Sequence, residues 1–213
     1  IVHLLQKMSL PTIYIIGASI GFAIGLQMSR LPGIKDKYRV KNLCRKGAKF
    51  LDLVWPKASE VKENDIVLIF LFGKDLQKGK YTRDAEAPRT FHLLEFVGID
   101  DATRDLYYAL LMATVERYQA KQAKIFIVTC FYRFLCPCHI YPNFLKFYME
   151  QNRYMFQTFA NFENVKVLDH RTLVSDQVGK AKRDSSFYAS LLYDQVHFKD
   201  NSVIARRIFA HFP

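Results

Sequence analysis

Three side chains in this sequence could form a charge-relay set: Ser19 in Gly17-Ala18-Ser19-Ile20-Gly21, and Asp194 and His197 in Tyr193-Asp194-Gln195-Val196-His197 near the C-terminus. A serine hydroxyl is a weak nucleophile at neutral pH, so it needs a base to take its proton and an acid to orient that base. Asp194 and His197 stand three positions apart. In a turn or a first helical coil both then face the same way, and the carboxylate can hold the imidazole. The segment Gly17 to Gly21 directly follows the apolar run 13–16, and G-x-S-x-G is the pattern of a strand-to-helix nucleophile turn, whose small flanking residues let the serine point outward. Plainer readings compete: the serine can cap the following helix, and Asp194 with His197 can be a helix cap beside a satisfied histidine.

Other chemistries find less support. Glycines at 17, 21 and 25 superficially resemble a dinucleotide-binding loop, but the short-chain dehydrogenases need a tyrosine four residues before a lysine. Here Tyr118 is followed at that distance by Gln122 and Tyr148 by Asn152, while Lys41 and Asn42 stand where a ribose-binding acid belongs. No cofactor is expected. Cys136-Pro137-Cys138-His139, with Cys130 upstream, offers metal-binding atoms without the usual paired spacing or an evident fourth ligand, so no metal site is expected either.

The elements that must position these residues can be read from hydropathy. Five short apolar runs, 12–16, 38–43, 65–72, 124–131 and 165–168, predict strands, and the third and fourth are apolar enough to be covered on both faces. Helical spacing lies between them at 22–30, 48–61, 101–123 and 144–162, with a last helix at about 200–210. Residues 76–96 read as a long loop, and 173–186 as a polar stretch leading to the Asp194/His197 segment. Alternating strand and helix predicts a mainly parallel sheet with helices on both faces, joined by right-handed crossovers. The ligand site of such a sheet lies at the carboxyl ends of its strands, and Ser19, Gly47 and Gly73 each follow one of the first three.

Composition bounds the rest. Half of the 213 residues are hydrophobic, enough for one sizeable core, so a single domain with its core at about 12–209 is expected. Because the chain starts at Ile1 and ends on an apolar, helix-like stretch, it reads as a piece of something longer. Residues 13–26 are almost wholly apolar or glycine, but too short for the roughly 20 residues that span a bilayer, and no transmembrane segment is expected. Four cysteines without a regular framework suggest a reducing, intracellular setting. The formal net charge of +11 favours anionic partners, nucleic acid or an acidic protein among them. It concentrates in Lys35, Lys37, Arg39, Lys41, Arg45, Lys46 and Lys49, against the single acid Asp36, a run that a plain solvated face would also explain.

Taken together, Gly17-Ala18-Ser19 after the first strand, Asn42 to Gly47 after the second and Asp194-Gln195-Val196-His197 near the end resemble the blocks of the SGNH, or GDSL-type, hydrolases over nearly the whole chain. The resemblance implies a three-layer, flavodoxin-like α/β fold: a five-stranded parallel sheet of order 2-1-3-4-5 with helices on both faces. It implies a serine esterase acting on a small ester substrate, with Ser19 as nucleophile, His197 as base and Asp194 orienting the base. The backbone N–H groups of Ser19 and Gly47 would contribute to an oxyanion hole. Ala18 replaces the family's usual Asp, a residue outside the triad. The third block departs further, because Gly73-Lys74-Asp75 has no Asn. One alignment puts Lys74 at the donor position, where it could stabilise an oxyanion; the other puts Asp75 there, which would repel it. The alternative implied is an SGNH-fold module that has lost catalysis and binds nucleic acid or a protein through its basic surface.

Overall fold

The computed structural model describes residues 10–71, 77–83, 91–130, 141–174 and 198–213; at 77–83, 91–98 and 141–145 only the backbone is described. Asp194, His197, Gly73, Lys74, Asp75 and the 136–139 cluster lie outside the described residues.

Five parallel strands form the central sheet: β1 (Thr12–Ile16), β2 (Arg39–Asn42), β3 (Ile66–Phe70), β6 (Lys124–Val128) and β7 (Val165–Leu168). Their spatial order is β2-β1-β3-β6-β7, which among these five strands is the expected 2-1-3-4-5. Alternation along each strand divides the core between the two faces. Ile13, Ile15, Leu68 and Phe126 look toward α1 (Ser19–Met28) and the C-terminal helix, here α6 (Asn201–Phe209), where Ile24, Met28, Ile204 and Ile208 are buried. On the other face, Tyr14, Ile16, Val67 and Ile125 join Leu111, Val115 and Tyr118 of α3 (Asp101–Gln119) and Met155 and Phe159 of α4 (Tyr141–Phe159). All five residues of β3 are buried, as befits the middle of a doubly covered sheet. The buried Asp65 carboxylate accepts from the N–H groups of Thr12 at 2.7 Å and Lys62 at 2.8 Å, tying the start of β1 to the entry of β3.

Two predicted segments differ. Residues 48–61 form no α-helix but a 3-10 turn, Phe50–Asp52, an extended step beginning at Leu53 (φ −64°, ψ 139°) and a second turn closed by Glu60 N–H donating to Lys57 O at 2.9 Å. Pro56 explains the failure, because it cannot donate into a helix and it biases the preceding residue toward extended conformations. Its carbonyl instead accepts from the Tyr118 hydroxyl at 2.7 Å, and Phe50, Trp55 and Val61 complete the core beneath α3. Residues 76–96, expected to be a loop, contain most of an antiparallel hairpin, β4 (Gln77–Arg83) with β5 (Phe91–Gly98). Its register shifts between Lys80 and Tyr81, which breaks the period-2 signal that would have marked the pair. Short helices α2 (Ile34–Lys37) and α5 (His170–Val174) complete the described elements. Among the described residues no helix is long and apolar enough to cross a membrane.

Candidate active site

Ser19 is the first residue of α1, three positions beyond the end of β1. The turn between them requires a glycine: a Cβ on Gly17 would lie 2.8 Å from Phe70 Cβ and 2.9 Å from its carbonyl oxygen, so β1 and β3 could not approach as they do. At the first helical position the Ser19 N–H has no intrahelical acceptor, and it belongs to the positive end of a ten-residue helix. Ala18 stands at the N-cap without a side-chain bond to the helix, so Ser19 is not the capping residue of α1.

The second part of the site comes from the chain leaving β2. Leu43 N–H donates to Ile15 O at 2.8 Å and Arg45 N–H to Gly17 O at 3.0 Å, continuing the ladder past the strand and laying this segment alongside the Ser19 turn. Asn42 fastens it on both sides: its Nδ2 donates to Phe22 O in α1 at 3.0 Å, and its Oδ1 accepts from Cys44 N–H at 3.2 Å. The chain then reverses, with Ala48 N–H donating to Arg45 O at 3.2 Å and Gly47 at φ +74°. Positive φ at the third residue of a four-residue turn marks type II, and glycine is the residue that adopts it without strain. Neither the Ser19 nor the Gly47 N–H bonds a described acceptor.

Ser19 and Gly47 thus line one cleft of about 510 Å³ at the carboxyl edge of the sheet. Phe22 and Leu26 form an apolar wall along α1, while Lys46 and Asn201 complete the rim. The Lys46 ammonium lies 5.1 Å from the Phe22 ring centroid, a cation–π contact that holds the charge over the cleft. Asn201 opens α6, whose N-cap Asp200 accepts from Ser202 N–H at 2.8 Å. Those bonds from Ser202 hold the Asp200 carboxyl below its ordinary range. Sequence reading missed the roles of Phe22 and Asn201, because nothing at either position marks chemistry until α1 and α6 are packed together.

A second nucleophile type lies close by but is closed off. Cys44 is 6 % exposed, and burial pushes its thiol up to about 12, so it stays a neutral thiol at physiological pH. Cys130 is buried too; its Sγ donates to Leu71 O at 3.1 Å, and its N–H donates to Asn152 Oδ1 at 2.9 Å. Among the described residues no group of three His, Cys, Asp or Glu could hold a metal ion.

At the far end of the same edge lies a buried polar centre that sequence reading passed over. His170 follows β7 and is 0 % exposed. Its backbone N–H donates to Thr129 Oγ1 at 2.9 Å, and the same hydroxyl lies 2.8 Å from His170 Nδ1. The hydroxyl thus bridges the backbone N–H and the ring of one residue, and the buried imidazole is neutral. Burial pushes the imidazole down to about 3, against the attraction of Asp169 at 3.8 Å. Burial pushes the Asp169 carboxyl up, but its hydrogen bonds from Arg171 outweigh this and hold it below its ordinary value. β7 stands three strands from β1, which at ~4.8 Å per strand puts His170 about 14 Å from the Ser19 column, beyond reach as its base.

The seven clustered cations are all exposed. Lys35 and Lys37 lie on α2, Arg39 and Lys41 on the outward side of edge strand β2, and Arg45, Lys46 and Lys49 in the segment that follows. Lys41 Nζ sits 5.2 Å from the ring of Tyr14, its register partner on β1. None of the seven forms an ion pair with a described residue.

This architecture is the SGNH form of the flavodoxin-like α/β fold. A proposed SGNH hydrolase from Slackia heliotrinireducens superimposes with a TM-score of 0.56 at 13% identity, covering 95% of this chain and 98% of that one. A proposed platelet activating factor from Streptococcus pneumonia gives a TM-score of 0.56 at 14% identity, over 98% of this chain and 86% of that one. The Bacillus subtilis protein YXIM gives 0.52 at 12% identity; 93% of this chain is covered, but only 55% of the other. No family model and no curated protein matches the sequence.

Proposed function

We propose that this protein is a serine esterase that hydrolyses a carboxylic ester by acyl transfer. The observation that carries the reading is the joint placement of Ser19 and Gly47 in one cleft at the carboxyl edge, each with a backbone N–H that bonds no described acceptor. In this mechanism Ser19 Oγ attacks the ester carbonyl while His197 accepts its proton and Asp194 holds the resulting imidazolium. The carbonyl oxygen, now negative, takes hydrogen bonds from the N–H groups of Ser19 and Gly47, donors typically worth ~3–4 kcal/mol each to the transition state. Lys74 is a further candidate donor. The alcohol leaves with the proton from His197, and water then attacks the acyl-serine by the same relay to release the acid. Supporting the assignment of the base, His197 is the residue before Phe198, four before Asn201, and Asn201 borders the Ser19 cleft.

A fluorophosphonate probe tests the reading directly. Labelling is expected in the wild type, lost in Ser19→Ala and strongly slowed in His197→Ala. An accessible Ser19 that never labels would sink it.

A second reading, a basic binding module, is favoured by one specific observation: seven exposed cations without an ion pair to a described residue, running from α2 across edge strand β2. Single-stranded RNA should then bind with an affinity that falls steeply with salt, and neutralising Lys35, Lys37, Arg39 and Lys41 together should make that dependence shallower, by about one unit of slope for each phosphate that a cation no longer neutralises. Salt-independent binding, or none at low salt, counts against it.

A further inference from the structure

The Ser19 cleft carries a charge that acyl transfer itself does not use. Lys46 belongs to the same type II turn as Gly47, so it is fixed by that turn beside the proposed oxyanion donor. Its ammonium is held over Phe22, a wall of the cleft, and no described carboxylate pairs with it. Of the described residues that line the cleft, none is acidic; Phe22, Ala23 and Leu26 are apolar and Gln27 and Asn201 are neutral. A lone cation at the rim of a cleft with apolar walls is a recognition element for one negative group on an otherwise apolar ligand. Arg45, exposed and adjacent to Lys46 in the same turn, adds a second charge of the same sign close by, which raises the local concentration of anions.

Resting on the esterase reading, we infer that the substrate is an anionic ester, with a carboxylate or phosphate seated on Lys46 and its apolar portion along Phe22 and Leu26. The anion lies on the substrate a few atoms from the scissile carbonyl, because Lys46 and the Gly47 N–H are consecutive in one turn. Lys46 selects the substrate and takes no part in bond making, so its effect appears in the comparison of anionic with neutral esters.

The experiment compares p-nitrophenyl hemisuccinate with p-nitrophenyl butyrate, acyl groups of similar length that differ in one carboxylate. The wild-type ratio of kcat/KM should favour the hemisuccinate roughly tenfold at low salt, as expected for one ion pair near a surface. Lys46→Gln should bring the ratio to about one and Lys46→Glu should invert it, whereas Lys57→Gln, outside the cleft, should leave it as in the wild type. A ratio near one in the wild type, or one indifferent to position 46, overturns the inference while leaving the esterase reading intact. A binding arm needs no turnover: Ser19→Ala protein is titrated by NMR with monomethyl succinate and with methyl butyrate. Tighter binding of the anion that Lys46→Gln removes supports the site, even if neither ester is hydrolysed and the esterase reading fails. Equal binding of the two overturns it.

Discussion

Acidification should destabilise this protein through His170 before it reaches any carboxylate. The imidazole is neutral in the fold, where burial brings it down to about 3, against an ordinary value of 6.5 in the unfolded chain. A histidine whose folded value is depressed costs nothing above the unfolded value, since both states are then neutral. Below it the unfolded chain takes up a proton that the fold refuses, and stability falls by about 1.4 kcal/mol per pH unit. From pH 6.5 to about 4.5 the loss amounts to about 3 kcal/mol, a large share of the 5–15 kcal/mol typical of a domain. The geometry sets the sign: the ring is 0 % exposed, so protonation would put a charge where no water can solvate it. Asp169, 3.8 Å away, opposes the effect but does not reverse it. Asp169 and Asp200 have depressed values, so the stability they contribute is present above their ordinary value of 3.8 and is lost only at lower pH.

The assay is urea unfolding at intervals between about pH 7.5 and pH 4.5, followed by the fluorescence of Trp55, the single tryptophan, in the wild type and in His170→Asn. Asparagine keeps an amide near the Nδ1 position that can bond the Thr129 hydroxyl in either sense but has nothing to titrate. Wild type should lose stability over this interval and the variant should lose much less, whatever its absolute stability. His211, also depressed by burial and by Lys166, titrates in both proteins and cancels in the difference. Parallel pH profiles for the two proteins would refute the reasoning.

Two further substitutions test the frame of the Ser19 cleft. Gly47→Ala meets open space, so any cost is backbone strain at φ +74°, about 1 kcal/mol in urea unfolding; if the Gly47 N–H serves the transition state, kcat should fall while KM changes little. Gly25→Val should cost more, about 1–3 kcal/mol, because a Cβ there lies 2.6 Å from Asn42 Nδ2 and 3.0 Å from Ile15 Cδ1. That clash bears on the bond from Asn42 to Phe22, so ester turnover should fall together with the melting temperature.

The sheet was legible in the sequence because its central strands β1, β3 and β6 are buried on both faces, and doubly buried strands leave unbroken apolar runs such as 65–72. The hairpin was not. Lys78, Lys80 and Arg83 make β4 look like a solvated loop, and the register shift at Lys80/Tyr81 disrupts the alternation that marks a strand. Residues 48–61 show the reverse error: the apolar spacing of Phe50, Leu53, Val54 and Val61 mimics a helix, but the backbone constraint from Pro56 outweighs it. At the site, Ser19 and Gly47 could be paired from sequence because each follows a strand of a parallel sheet, so topology alone brings them to one edge. The Lys46–Phe22 contact could not, since it depends on where a turn and a helix face meet.

The two polar centres on the carboxyl edge also separate structure from chemistry by a criterion that needs no motif. Around His170 the groups interlock: one hydroxyl bonds both a backbone N–H and the ring, and Arg171 caps the neighbouring carboxylate. Such an arrangement lowers the energy of a single state and leaves little for a substrate to bind, so its contribution lies in stability and its sensitivity to acid. Around Ser19 the backbone is just as tightly held, by Gly17 against Phe70 and by Asn42 between α1 and the β2 exit. Yet on the residues that line the cleft, the N–H groups of Ser19 and Gly47 and the Lys46 ammonium bond no described acceptor. Rigid support beneath unspent donors is what preorganised stabilisation of a developing negative charge requires, because the donors then need no rearrangement when the charge appears. Cys44 completes the contrast: it lies in the same segment as Gly47, but burial keeps it a thiol, which leaves the half-buried Ser19 hydroxyl as the candidate nucleophile of the proposed mechanism.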